Sequence, residues 1–505
     1  MAQDDQRLYA IRRDFSGGVN TRQHASKIGE NQAEQLDNWD IGIPGQTQKR
    51  PGFSLIGNDV GDNSVLCLHN YEIQGATDQL LMFEGTMLRK WTGSGNWVTV
   101  KGDFSASTDV GIISAKMSGI SPDDVVIVQN DIDNAFLIES DGTALNLGSG
   151  ATSPPKSTVM CWYGNRIWIL DNDLLYYSDA YDSDYSTAFV VTNSFRIPVG
   201  QERKLLATRD MGIIVMGDQA IWGLAPSATP AATDKPEPLI TNLGCVSKKG
   251  AVIVGDDIYF FAQDGLRALK RTVQDKLQLG ITFPISYRLK TEFEAINWAY
   301  ISNLSMEYFD NKVFVAVPTS TSTWDLWIYY PASDSFKIVK SWTPFSWAKY
   351  KVSGEERLYF GKYGDGSVYR AWTGYDDNGT AISATFIGRE EDFGQPLNYK
   401  VGGELEIEAE VAGSGNSLTV SVSLDGANFQ ALGTVNLTSS TAPVLPISLP
   451  FSLSDSYIVR DKFHLDSLGR FRTIQIKIEN SDLNTETITF YAYNIVTYLE
   501  EYEGE

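Results

Sequence analysis

The sequence predicts an all-β protein, a β-propeller of six or seven blades with an additional C-terminal β-sandwich domain. Three observations carry this reading. Apolar hairpins recur at nearly constant spacing through residues 60–380, strict apolar/polar alternation takes over in residues 381–505, and residues 1–59 show neither pattern.

Residues 1–59 read as an extended arm with a short helix. Gly17-Gly18, Gly45 and Pro51-Gly52 suit a chain that bends without a regular element. Phe15, Trp39 and Phe53 need burial, and a segment that cannot build its own core finds one on the domain body or on a neighbour. The polar run IGENQAEQLDNW, residues 28–39, is expected to form the helix.

The propeller rests on seven hairpins: QLLMFEGTMLRKW, DVVIVQNDIDNAFLI, NRIWILDNDLLYYSD, MGIIVMGDQAIWGL, DIYFFAQDGLRAL, KVFVAVPTSTSTWDLWIYY and RLYFGKYGDGSVYRAW. Counted from Leu80, Val125, Ile167, Ile213, Ile258, Val313 and Leu358, the spacings are 45, 42, 46, 45, 55 and 45 residues. A period of roughly 40 to 50 residues with one hairpin per unit is the pattern of four-stranded blades whose closure removes exposed edges. Asp264-Gly265, Gly364-Asp365-Gly366 and Met216-Gly217-Asp218 are expected to supply the positive-φ positions of tight turns. The competing fold is a pair of β-sandwiches, whose hairpins would recur less evenly. In the long gap, Ile285, Leu289, Phe293 and Ile296 fall at helical spacing after Pro284, so a packing helix is expected there.

Beyond residue 380, LEIEAEV (405–411), LTVSVSL (418–424), RTIQIKIEN (472–480) and TITFYAYNIVTYLEEY (487–502) alternate strictly. Each such strand has one buried and one wet face, as in two packed sheets. The SLDGANF stretch is expected to be a polar hairpin with Asp425-Gly426 at its tip.

Charge and chemistry narrow the function. With 41 Lys plus Arg against 63 Asp plus Glu, the net charge is −22, and the average surface repels phosphate and lipid headgroups. A sequence-reading DNA-binding protein is therefore disfavoured. Cys67, Cys161 and Cys245 are far apart and odd in number, as expected of reduced core residues rather than a disulfide framework or zinc site. The first residues, MAQDDQRLYAIRRDF, lack a signal-peptide apolar run, and no stretch of about 18 apolar residues occurs, so a chain that folds in a cytoplasm is expected.

His24, His69 and His464 lie in unrelated segments, without a second ligand at metal spacing. There is no Gly-x-Ser-x-Gly elbow and no phosphate-cradling glycine loop. The clusters Asn130-Asp131-Ile132-Asp133-Asn134, Asp179/Asp182/Asp184 and Asp376-Asp377-Asn378-Gly379 carry oxygen ligands but not a full calcium-loop spacing, and turn chemistry explains them. No catalytic residue, metal or cofactor is expected.

One stretch is more specific. Phe15-Ser16-Gly17-Gly18-Val19-Asn20 is followed by the polar run of residues 28–39, then Asn38-Trp39, Gly45 and Lys49-Arg50-Pro51-Gly52-Phe53. This order resembles the N-terminal region of tail nozzle or tail hub proteins of short-tailed bacteriophages, the family of packaged-DNA stabilisation and tubular tail proteins. The resemblance covers residues 15–53. It implies a structural virion protein, not an enzyme: a homo-oligomeric ring of six copies below the portal and its adaptor, assembled in the host cytoplasm, that retains packaged DNA and conducts it at ejection.

The acidic balance suits such a conduit, because a wall poor in clustered cations offers a sliding duplex no wells. Phe15, Gly17, Gly18, Asn20, Trp39, Lys49, Arg50, Pro51, Gly52 and Phe53 are the candidate interface residues, with Arg12, Arg13 and Arg22 beside them. Lys49 and Arg50 read either as a subunit or adaptor contact that sets register or as a solvated turn. The alternative function is a glycan-binding or glycan-cleaving tail propeller, which would need two carboxylates facing across a pocket with an aromatic floor.

Overall fold

A hairpin whose two strands are apolar throughout can be stable only if other sheets cover both of its faces. That is how the seven hairpins are used. The computed structural model describes residues 7–42, 45–231, 233–278, 283–412, 415–437 and 458–500; Pro44 and the last two residues of the expected 487–502 strand lie outside them.

Seven sheets form the propeller, and each hairpin supplies the second and third strands of one blade. Blades 1 to 4 are four-stranded and span residues 65–101, 111–146, 160–196 and 202–241; blade 5 has three strands within 251–268, blade 6 spans 305–339 and blade 7 spans 344–371. Their first strands are Val65–Tyr71, Gly111–Lys116, Met160–Tyr163, Glu202–Thr208, Ala251–Val254, Ser305–Phe309 and Pro344–Val352, and each neighbours the next until the seventh returns to the first. Apolar cores fill the gaps between blades. Leu81 and Phe83 meet Val126 and Val128, Val125 and Ile127 meet Ile167 and Ile169, and across the closure Leu80, Met82 and Trp91 meet Tyr350 and Tyr359.

The ring is latched by the arm. Blade 7 takes its fourth strand from Phe53–Leu55, which pairs antiparallel with Val368–Ala371 through Ala371 opposite Phe53 and Tyr369 opposite Leu55. Residues 53–55 therefore belong to the propeller, and a division at residue 59 separates what the fold joins.

Beyond the propeller two sheets pack face to face. One joins Ile458–His464, Lys400–Glu410 and Thr489–Leu499 with three arm strands, Arg7–Arg12, Trp39–Asp40 and Thr47–Lys49. The other comprises Ala384–Glu391, Ile474–Asn480, Ser417–Leu424 and Gln430–Asn436, and it is continuous with blade 6. The arm strand Gln35–Asp37 makes it so: Asp37 pairs parallel with Ile338 of blade 6 and antiparallel with Thr385. Asp425 (φ 51°) and Gly426 (φ 73°) form the expected tip between Ser417–Leu424 and Gln430–Asn436.

Two helical expectations are corrected. Residues 28–39 form turns and the strands Gln32–Ala33, Gln35–Asp37 and Trp39–Asp40. Ala33, Leu36 and Trp39 are fully buried at a spacing of three because bends at Glu34 and Asn38, the latter at φ 60°, rotate the chain between strand pieces. Residues 285–296 are a 3-10 turn, Ile285–Arg288, and a single helical turn, Lys290–Glu294, separated at Leu289 (φ −91°, ψ 65°). A further helix, Leu269–Gln278, follows the third strand of blade 5 and packs on that blade.

Candidate functional site

The residues of the resemblance lie together at the junction of propeller and sandwich, within one chain. Phe15 is buried against Phe386, Phe490 and Tyr493, with ring centroids 4.9, 5.5 and 6.0 Å away. Trp39 meets Phe490 edge-on at 5.1 Å, and Phe53 packs on Tyr369, Trp342 and Phe360 at 4.9, 5.3 and 5.4 Å.

The glycines are there for close approach. A Cβ on Gly18 would stand 2.3 Å from the Phe336 carbonyl oxygen, one on Gly52 would stand 1.6 Å from that of Asp376, and Gly17 is likewise crowded by Asn31. Asn20 donates from Nδ2 to Gln32 Oε1 at 2.8 Å and from its backbone N–H to Ala33 at 3.0 Å.

Lys49 and Arg50 are corrected from a surface pair to buried cations, 5% and 1% exposed. The Lys49 ammonium donates to Asn480 Oδ1 at 2.6 Å, to the Asp482 carbonyl at 3.1 Å and to Asn484 Oδ1. Burial pushes its pKa down to about 8. Arg50 forks onto Asp377 with bonds of 2.8 and 2.7 Å, donates from Nε to Asn38 Oδ1 at 2.8 Å and to the Pro51 carbonyl at 3.0 Å, and lies 5.0 Å from the Trp342 ring centroid. The physical reason is that two sheets bring acceptors from residues 377 and 480–484 onto a turn that looks solvated in isolation. Replacing both with Glu would therefore bury unpaired like charges and damage the subunit itself, not only a contact between subunits.

Of the flanking arginines, Arg12 forks onto Glu391 at 2.7 and 2.8 Å, Arg22 stacks on Tyr287 with 3.6 Å to the ring centroid, and Arg13 is exposed. Beside them the buried Lys337 stands 3.0 Å from Asp40 and 4.3 Å from the Trp372 ring centroid, and the Tyr330 hydroxyl donates to Asp40. Burial drives Lys337 down to about 7 against the attraction of Asp40.

A second site, which motif reading did not single out, lies on the propeller axis. A chamber of about 540 Å³ is lined by residues from the first strand of every blade. Lys249, just before the first strand of blade 5, crosses it: its ammonium donates to the Leu66 carbonyl at 2.6 Å and the Phe345 carbonyl at 3.1 Å, and sits 3.7 Å from the Phe345 ring centroid. One cation thus binds blade 1 to blade 7 across the closure. Burial pushes its pKa down to about 8.

Lys248 turns the other way, to Asp109 Oδ2 at 2.6 Å and Thr158 Oγ1 at 2.9 Å. Cys67 is a free thiol, raised to about 11 by burial despite Lys249. His69 lies 2.8 Å from Ser114 Oγ, and burial lowers it to about 4, so the imidazole is neutral at pH 7. A thiol held protonated at pH 7 is a weak nucleophile. The only trace of this site in the sequence is the Lys248-Lys249 pair before Gly250.

The Asp and Asn clusters serve turns only in part. Asp182 accepts from the Asp184 N–H at 3.0 Å and Asp376 from the Gly379 N–H at 2.5 Å, whereas Asp133 holds the distant Ser105 by its backbone and hydroxyl at 2.6 and 2.7 Å and Asp377 is the counter-ion of Arg50. Among the described residues no group of three His, Cys, Asp or Glu is placed to hold a metal. No described helix is long and apolar enough to cross a membrane.

No protein family matches this chain, and no curated protein matches it. Solved structures resemble it in part. The extracellular domain of a hybrid two-component system from B. thetaiotaomicron is 12% identical over 76% of this chain, with a TM-score of 0.44, and the chain spans 47% of that domain's length. The AfRom2 CNH domain is 8% identical over 63% of this chain, covers 97% of its own length and has a TM-score of 0.37. An exo-β-1,3-galactanase from Phanerochaete chrysosporium is 9% identical over 88% of this chain and all of its own, with a TM-score of 0.23. Likeness at these levels says nothing of function.

Proposed function

We propose that this chain is a structural, non-enzymatic subunit of a short-tailed bacteriophage tail, a nozzle or hub ring of six copies that closes the portal channel, retains packaged DNA and conducts it at ejection. The reading is carried by the Phe15 to Phe53 series, every piece of which has an architectural job. It places an aromatic between the sandwich sheets, glycines against neighbouring backbone, two buried cations at the junction and the latch strand of blade 7. A subunit under the pressure of packaged DNA needs its domains locked together, and this segment locks them.

The net charge of −22 supports a wall along which a duplex slides without binding. The ring contact moves, however, from Lys49 and Arg50 to the first strand. Among the described residues the strand at 8–12 pairs with Thr489–Leu499 and with no second strand, which leaves an edge beside it, and Tyr9 and Ile11 are 58% and 52% exposed there. An open edge with apolar side chains invites a neighbouring subunit, and in a closed ring the same contact repeats. The neighbours above and below are then the portal adaptor and other tail proteins.

Negative-stain microscopy of the purified protein, beside a reducing-end assay on host polysaccharide, tests this. Rings with a central hole and no sugar release are expected. Saturable release of reducing ends that vanished on changing one carboxylate would instead support a glycan-cleaving propeller.

A further inference from the structure

We propose that the axial chamber of the propeller binds a small oxyanion, of the phosphate or dicarboxylate kind. The inference does not rest on the tail reading. It starts from a charge count within the chamber. Arg203, Lys204, Lys248, Lys249 and Lys349 all line it. Two of them face carboxylates, Lys248 with Asp109 at 2.6 Å and Asp131 at 3.6 Å, and Lys349 with Glu307 at 3.3 Å.

Among the described residues none of the other three makes an ion pair with a carboxylate, although Asp109 attracts Lys249 from beyond contact. Lys249 is bonded to two carbonyl oxygens, which carry only partial charge. Arg203 donates from Nη2 to the neutral Gln201 at 2.8 Å, while its Nε is buried without a partner. Lys204 is half-buried on the first strand of blade 4. The remaining carboxylates of the lining, Glu72 and Glu356, are exposed, which leaves the interior positive.

That is unexpected in a chain of charge −22. Enclosed ammonium and guanidinium groups without counter-charge are costly, and an anion entering the chamber offsets the cost. At about 540 Å³ the chamber falls within the range of roughly 300 to 1,000 Å³ usual for small-molecule sites. Lysine point charges and an arginine fork suit oxyanions, and the unpaired Arg203 Nε is a donor waiting for an acceptor. Ile113, Met160 and Trp347 add apolar wall against which the carbon skeleton of an organic acid can lie.

The test is isothermal titration of the full-length protein at pH 7 with inorganic phosphate and, separately, with succinate, at constant ionic strength. Saturable binding of one ion per chain is expected for at least one of them, and which one responds tells phosphate from carboxylate recognition. Lys204→Gln should weaken it roughly tenfold, the scale of one lost charge-assisted contact. Its fold is checked by circular dichroism. Lys462→Gln, at an exposed ion pair with Glu404 on the sandwich, should leave it unchanged and serves as the surface control. Absence of saturable binding by either ion, or binding that Lys204→Gln does not weaken, would overturn the proposal.

Discussion

Removing Arg50 tests how the arm joins the two domains. In Arg50→Met a side chain of similar length replaces the guanidinium, so packing beside Trp342 is largely kept while the charge goes. Asp377, with a side chain only 10% exposed, then keeps the Trp342 Nε1–H at 3.2 Å but loses both guanidinium bonds. Asn38 Oδ1 loses one of two donors, retaining the Lys340 N–H at 3.0 Å. Breaking a buried, bidentate pair by taking away one partner costs about 3–5 kcal/mol, mostly because the other charge is left buried and unpaired.

A chain of this length has an unfolding entropy on the order of 1 kcal/mol/K, so a single-step melt should shift down by about 3–5 °C. Arg50→Met with Asp377→Asn removes the orphaned charge and should recover more than half of that shift. Differential scanning calorimetry of wild type, both single variants and the double variant completes the cycle. A single-variant shift under about 1 °C, or a double variant no better than Arg50→Met alone, would show that the pair is not what holds the junction.

Three further outcomes follow from the same structure. Gly52→Ala would push a methyl to within 1.6 Å of the Asp376 carbonyl oxygen and should cost several kcal/mol or abolish soluble expression, whereas Gly102→Ala, with open space around it, should be neutral; equal yields and melting temperatures would contradict the close approach. Stability should rise between about pH 7.5 and 9. Lys337, held near 7, and Lys49 and Lys249, held near 8, titrate at 10.5 when unfolded, so the unfolded chain binds more protons in that window; the cysteines, raised to about 11 to 12, oppose the rise from about pH 8, where unfolded thiols begin to ionise, and reduce it without reversing it. Urea midpoints that stay flat or fall over that window would refute the assignment. Ile11→Glu, at an exposed edge position, should abolish rings in micrographs while shifting the monomer's stability by no more than about 0.5 kcal/mol, and rings of normal yield would exclude that edge as the contact.

The hairpins were legible in the sequence because everything that makes them is local. Continuous apolar runs of four to six residues flank turns such as Gln263-Asp264-Gly265, and residues of one hairpin meet each other whatever the rest of the chain does. Turn chemistry alone was less reliable. Gly265 and Gly364 adopt positive φ as expected, but Gly217 does not; it is needed because a Cβ there would stand 2.0 Å from the Val199 carbonyl oxygen.

The arm was not legible as strands, because pieces of two or three residues exist only through distant partners. Asp37 pairs with Ile338 and Thr385, and Gln48 with Thr489. For the same reason Lys49 and Arg50 read as a subunit contact or a solvated turn, because only the fold brings Asn480, Asn484 and Asp377 to them. The axial cations share this history. Lys204 and Lys249 are ordinary polar positions in their own blades and become neighbours of one chamber only when seven sheets close.

Electron cryomicroscopy of an assembled virion tests the central claim most directly, because it shows both the ring and the path of the arm. The account predicts six subunits around the DNA channel, with residues 15–53 folded back between the propeller and the sandwich of their own subunit and the edge strand at residues 7–12 against the neighbour. A particle without this chain in its tail, or one in which residues 15–53 reach across to an adjacent subunit, would contradict it.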